Sequence, residues 1–278
     1  MSQMKFIFVC LAIILFILPF PAVLLAERKG EAKSAESSLI AQEEKIAKEL
    51  ANPLAPITTF IAQFRTEFGN GPDDDTNYQL RLQPSFFKPF ADQSAFLLRT
   101  IVPLKFNNWP TNDSGLGDIT LTPYYVPDVT RSTFLGFGGT FTFPTATQEP
   151  LGSGKWSAGP AFILAQVGQP ITWGGLVQHV WSYAGHSDRS SISVTTLQPF
   201  IAYLLGKGWA ATVTSETTYN WQATGNEKWT VPLAAQIAKV VQIGGKFFNF
   251  GLAGVYYAEK PSYAPEWEMR FSLTYVFK

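Results

Sequence analysis

Glu266-Trp267-Glu268-Met269-Arg270-Phe271-Ser272-Leu273-Thr274-Tyr275-Val276-Phe277 is the last patterned run of the sequence. Trp267, Met269, Phe271, Leu273, Tyr275 and Phe277 take every second position, and Glu266, Glu268, Arg270, Ser272 and Thr274 stand between them. A period of two puts the two sets on opposite faces of an extended strand, one apolar and one polar. The same alternation sets Tyr78, Leu80, Leu82, Pro84 and Phe86 against Asn77, Gln79, Arg81, Gln83 and Ser85. Phe60, Phe64 and Phe68 likewise alternate with Gln63, Arg65 and Glu67.

Working outward from these runs, the pattern predicts about twelve strands, near 58–68, 77–88, 94–104, 117–126, 134–143, 156–166, 172–183, 192–204, 209–221, 229–239, 247–258 and 266–277. Each is close to the roughly 9–11 residues that a tilted strand needs to cross a bilayer, and the count is even, as closure usually demands. The connections alternate between longer polar ones (Gly69 to Thr76, Asn107 to Gly115, Thr145 to Lys155, Ala184 to Ser191, Gln222 to Lys228) and mostly shorter ones such as Gly206 to Gly208. The expected fold is therefore all-β, a transmembrane antiparallel up-and-down barrel with polar loops outside and both ends of the sheet facing the periplasm.

A soluble sandwich alternates too, but buries its apolar face against a second sheet. The aromatics favour a membrane. Trp156, Trp173, Trp181, Trp209, Trp221, Trp229 and Trp267, with Tyr183, Tyr203 and Tyr219, gather at predicted strand ends, where amphipathic rings form interfacial girdles. The final Tyr275-Val276-Phe277 is similar to the terminal aromatic signature of outer-membrane barrels, with Lys278 displacing Phe277 from the last place.

Ahead of the strands, Lys5 precedes an apolar run from Phe6 to Ala26 that ends in Val23-Leu24-Leu25-Ala26, which reads as an export signal over residues 1–26. A retained anchor helix is the alternative, and Pro19 and Pro21 count against it. Residues 27–52 are rich in Ala, Glu, Lys and Ser, with Ala35, Leu39, Ile46 and Leu50 on one helical face. Two readings stay open for them: a polar, partly helical periplasmic extension, or a helix that plugs the barrel of residues 53–278 or pairs with a partner there. Acidic and basic residues balance at 21 each with no basic stretch, which excludes nucleic acid as a partner class. The single cysteine, Cys10, lies in the first apolar run, so the mature chain has no intrachain disulfide and no cysteine-ligated metal.

Several strings carry a family resemblance: Ile101-Val102-Pro103-Leu104, Gly115-Leu116-Gly117-Asp118-Ile119, Phe143-Pro144-Thr145-Ala146-Thr147, Leu151-Gly152-Ser153-Gly154-Lys155-Trp156 with Gly159-Pro160, Gln198-Pro199-Phe200, Trp229-Thr230-Val231-Pro232-Leu233 and Glu259-Lys260-Pro261. As a set, from about Asn52 onward, the chain resembles the outer-membrane family associated with the phenol meta-degradation pathway, often labelled neuromedin U. The resemblance implies an outer-membrane barrel assumed to be a transporter with no well-defined substrate, and its pathway association alone points to small hydrophobic or aromatic cargo. It implies no catalytic residues and no cofactor.

In a closed barrel the last strand pairs with the first, so the pattern predicts one charged wall across strands twelve, one, two and three: Arg65, Glu67, Arg81, Arg99, Glu266, Glu268 and Arg270. Such a wall either sets pore selectivity or is an ion-pair ladder that fills a narrow lumen. The expected partners are outer-membrane lipid and small solutes. A non-conducting structural or adhesion barrel is the alternative function. His179, His186, Ser182, Ser187 and Asp188 allow a more remote lipase reading, and Asp73-Asp74-Asp75 lacks the ordered spacing of a calcium loop. Neither catalytic nor metal-ligating residues are therefore assigned. Gly152-Ser153-Gly154-Lys155 leads into a strand and lacks phosphate-loop spacing.

Overall fold

The computed structural model describes residues 29–52, 57–130 and 132–277. The expected export signal, residues 1–26, lies outside them. Helix α1 (Lys29–Ala51) is made of strong helix formers and stops where Asn52 precedes Pro53. It crosses a boundary between two compact units, Met1–Leu39 and Ile40–Lys278.

Within the second unit the described residues form twelve strands: β1 (Thr58–Asn70), β2 (Asp75–Pro89), β3 (Ala95–Phe106), β4 (Ile119–Val126), β5 (Thr133–Phe143), β6 (Lys155–Gln166), β7 (Ile171–Gly185), β8 (Ser193–Gly206), β9 (Trp209–Ser215, resuming as Thr217–Asn220), β10 (Trp229–Ile243), β11 (Lys246–Glu259) and β12 (Trp267–Phe277). Neighbours in sequence pair antiparallel, and β1 pairs with β12 from Thr58 opposite Phe277 to Phe68 opposite Trp267. The sheet is thus a closed barrel without an edge, the arrangement that satisfies every strand's backbone in hydrocarbon. β4 starts at Ile119, later than the pattern predicted, and a short Ser114–Leu116 run pairs with β3 ahead of it. The break falls at Gly117-Asp118, where Asp118 turns its carboxylate to a loop.

The outer face is apolar. Leu135, Phe162, Val177, Leu197, Val213 and Leu233 are all exposed there, as side chains can be when lipid replaces water. All seven predicted girdle tryptophans are exposed. Trp156, Trp181, Trp221, Trp229 and Trp267 lie at the end bearing the long loops, and Trp173 and Trp209 at the end bearing the short turns. Asp73 and Asp74 belong to the tight β1–β2 turn, where Asp74 adopts φ 55°, and Asp75 begins β2.

The inner face departs from the expectation of a polar lining. Its inward positions on β2 to β7 hold Phe87, Leu97, Tyr124, Val126, Phe134, Ile163 and Leu176, packed as one buried cluster toward the turn end. The clean alternation of β1, of β2 as far as Phe86 and of β12 does not extend to β3–β7, which bury apolar side chains on their inward face as well.

The C-terminal part of α1, from Ile40, belongs to the same unit as the strands and packs into the barrel's turn-side mouth. Ile46 and Ala47 lie against Val240, Phe247 and Val276, with Leu50, Ile57 and Leu204 around them. Glu43 takes a 2.5 Å ion pair from Lys239 Nζ and a hydrogen bond from the Gln242 N–H, and Glu44 accepts the Lys207 N–H at 2.6 Å. Gly208 (φ +75°) makes room for this: a Cβ there would lie 3.0 Å from both Glu43 Cβ and Lys239 Nζ. Of the two readings open for residues 27–52, docking in the barrel therefore holds for Ile40–Ala51.

Candidate functional site

The register across the β1–β12 seam sets Arg65 opposite Arg270 and Glu67 opposite Glu268. Like charges directly opposite repel, and the attraction runs on the diagonals. Glu268, fully buried, accepts Arg65 Nε at 2.5 Å and Nη2 at 2.7 Å, Arg270 Nε at 2.7 Å and Nη2 at 3.2 Å, and the Tyr257 hydroxyl at 2.9 Å. Two guanidinium forks and a phenol saturate one carboxylate, which is what a buried charge requires.

A second carboxylate meets this cluster from across the lumen. Glu216, at the break in β9, lies 3.4 Å from Arg81 Nη1, 3.4 Å from Arg270 Nη1 and 3.7 Å from Arg65 Nη1. Arg81 Nε also donates to Gln79 Oε1 at 2.5 Å. Side chains from β1, β2, β9 and β12 thus converge in a neck, with three guanidiniums against two carboxylates.

The neck separates two cavities. On the loop side a vestibule of about 420 Å³ is lined by Glu67, Arg81, Lys105, Trp109 and Tyr263, among others. On the turn side a chamber of about 220 Å³ is lined by Arg99, Phe200, Thr214 and, from α1, Leu50 and Ala51.

Of the seven residues expected in one charged wall, Arg65, Arg81, Glu268 and Arg270 meet in the neck, and Glu67 lines the vestibule. Two depart from that expectation. Arg99 stands apart in the chamber, because it faces Ser85 and Thr122 nearer the turns. Glu266 is exposed one residue before β12, and contributes backbone bonds, donating to Phe68 O and accepting from the Tyr257 N–H. There the chain is already leaving the ladder for the loop.

Glu216, Tyr257 and Lys105 were not singled out from the sequence. The signal for Glu216 was present: it shares the parity of Ala210, Thr212 and Thr214, which all line the chamber. A carboxylate at a lumen-facing position needs a cation, and the cations lie on strands remote in sequence.

Three of the strings that carry the family resemblance, around Asp118, Thr145 and Ser153, meet at the loop end. Asp118 accepts the Ser153 N–H at 2.6 Å, the Ser153 hydroxyl at 2.7 Å and the Ala146 N–H at 3.3 Å. Thr145 Oγ1 accepts the Ile119 N–H and donates to Gly117 O, both at 3.0 Å, and Arg189 Nη2 donates to Gly152 O at 2.6 Å. Gly152 leaves no space for a side chain, since a Cβ there would meet Asp118 Oδ1 at 2.5 Å. These contacts latch the β5–β6 loop over β4. Asp118→Ala leaves these donors without their carboxylate and is expected to cost about 1–3 kcal/mol, with faster proteolysis within 145–155. Limited digestion of the folded barrel checks this, and an unchanged cleavage rate would refute the latch.

The histidine–serine–aspartate grouping is not assembled. His179 Nδ1 pairs with Thr195 Oγ1 at 2.7 Å and Nε2 lies 3.4 Å from Ser193 Oγ, while the Ser182 hydroxyl accepts the Ile192 N–H. The His186 carbonyl accepts Lys155 Nζ.

A closed twelve-stranded sheet, an apolar exterior with exposed tryptophans toward both ends and a polar neck inside are one recognisable arrangement. The fold is that of outer-membrane barrels. No family model matches the chain, and no curated protein matches it. Among solved structures it is similar to an outer-membrane channel from Pseudomonas putida F1, at 14% identity and TM-score 0.62, covering 80% of this chain and 96% of that one. It is also similar to the NanC porin, at 11% identity and TM-score 0.54, covering 80% of this chain and 99% of that one. At these identities the likeness is one of fold.

Proposed function

We propose that this chain is an outer-membrane channel for small solutes, with the Arg65, Arg81, Arg270, Glu216 and Glu268 neck as its selectivity element. The observation that carries the reading is the vestibule–neck–chamber series inside the closed barrel. The path is lined by the cations Lys105, Arg65, Arg81, Arg270 and Arg99 against the carboxylates Glu67, Glu216 and Glu268. Fixed charge beside a solute path favours counter-ions, so the excess of cations favours anions. Small apolar or aromatic cargo is part of the proposal through the family resemblance and the apolar chamber wall. The fold and the exterior support an outer-membrane location, which fractionation with a heat-modifiable gel shift tests directly.

Reconstituted in a planar bilayer under a KCl gradient, the wild type is expected to pass chloride in preference to potassium. Arg81→Glu, which reverses one charge where vestibule meets neck, is expected to move the reversal potential toward potassium. An unmoved potential in a conducting protein would remove the neck's role. The docked end of α1 favours a second reading, a barrel closed to solutes, and a folded protein that carries no current would support it.

A further inference from the structure

Among the described residues lining the lumen, Arg99 is the one cationic side chain without a charged partner or a hydrogen-bonded carbonyl. Arg65, Arg81 and Arg270 share Glu216 and Glu268, Lys239 is paired with Glu43, and Lys105 donates to Leu151 O. Across the sheet from Arg99 stand Ser85 on β2 and Thr122 on β4, neither of them acidic. Its near polar neighbour is the buried Tyr124 hydroxyl, which makes no hydrogen bond to any other group. The guanidinium lines the chamber together with Leu50, Ile163, Leu176 and Phe200, with the Gln198 amide beside them.

We infer that this chamber binds a small monocarboxylate with an apolar body, its carboxylate on Arg99 and its body against Leu50, Ile163, Leu176 and Phe200. A guanidinium fork held against an apolar wall lacks the partner that its surroundings make valuable, and a planar carboxylate supplies it bidentately. Size narrows the class. An apolar cavity of about 150 Å³ holds one benzene ring, whereas drug-sized ligands occupy roughly 300–1,000 Å³. The chamber's 220 Å³ therefore suits a single ring or short branched chain plus its carboxylate, and a long acyl chain does not fit. The inference deepens the channel reading and rests on it for its meaning in the cell.

The test is calorimetric titration of the purified full-length chain in detergent with benzoate, acetate and benzyl alcohol. Benzoate is expected to bind saturably, one per chain, and at least roughly 10-fold tighter than acetate, which lacks the body, or benzyl alcohol, which lacks the charge. Arg99→Gln should weaken benzoate by about 10- to 100-fold and leave benzyl alcohol unchanged. Ala210→Phe, which fills the chamber, should abolish binding of both. Benzoate binding no tighter than benzyl alcohol, or unaltered by Arg99→Gln, overturns the site. If Arg99→Gln gives no heat-modifiable folded band, Ala210→Phe decides, and unchanged benzoate affinity there overturns it. Conductance on the same preparation separates the two proposals. A chain that binds benzoate but carries no current defeats the channel and keeps the site, and one that conducts without saturable benzoate binding does the reverse.

Discussion

Replacing Glu268 with alanine is expected to lower the stability of the folded barrel by about 3–5 kcal/mol, the range for breaking a buried pair by removing one partner. This carboxylate is fully buried and receives both forks of Arg65 and Arg270 together with the Tyr257 hydroxyl. Without it, two guanidiniums that the register already sets opposite each other are left to repel. Glu268→Gln keeps the volume and an acceptor for Tyr257 but loses the charge, and is expected to fall between wild type and alanine. Urea titration of the barrel in vesicles, followed by the heat-modifiable band, measures both. Glu67→Gln, altering a carboxylate that lines the vestibule outside the neck, should stay within about 0.5 kcal/mol. Equal losses for Glu67→Gln and Glu268→Ala would show that the neck has no special place in the energetics.

The second large effect is expected from Ile46→Asp. Ile46 has no exposed surface and sits among Val240, Phe247 and Val276. An unpaired carboxylate there should cost upwards of about 3 kcal/mol, more than the docking of so short a helical end can tolerate. The strand ladders do not depend on it, so the barrel should remain heat-modifiable while α1 leaves the mouth. Single-channel conductance should then rise, roughly doubling or more if the helix obstructs the turn-side exit. Proteolysis within 40–51 should become faster. A variant that keeps wild-type conductance and wild-type resistance to protease would show that the helix is not held by this contact.

Strand positions could be read wherever the two faces of a strand meet different surroundings, because that imposes a period of two on the residues. Trp267, Met269 and Phe271 stand out against Glu268 and Arg270 whatever else the fold does. The seam was equally legible, since closure makes the first and last strands neighbours, and Arg65 and Glu268 meet as that requires. Distance across the lumen was not legible. Glu216 is about 150 residues from Arg65 in the chain and on the opposite side of the neck, and no spacing rule connects them. Arg99 was placed with the other arginines by strand adjacency alone, although its level along β3 sets it in the chamber. The apolar filling by Leu97, Tyr124 and Ile163 was hidden for a related reason, because a strand apolar on both faces shows no alternation.

The docked end of α1, ending at Ala51, is joined to β1, starting at Thr58, by only the six residues 52–57. A chain that short reaches at most roughly 22 Å when fully drawn out. The helix end is therefore on a leash, unable to diffuse away from the mouth into which it packs. Its return is intramolecular, so the fraction of chains with the helix docked is independent of protein concentration. A soluble competitor for the same opening would have to outbid a local concentration on the order of millimolar.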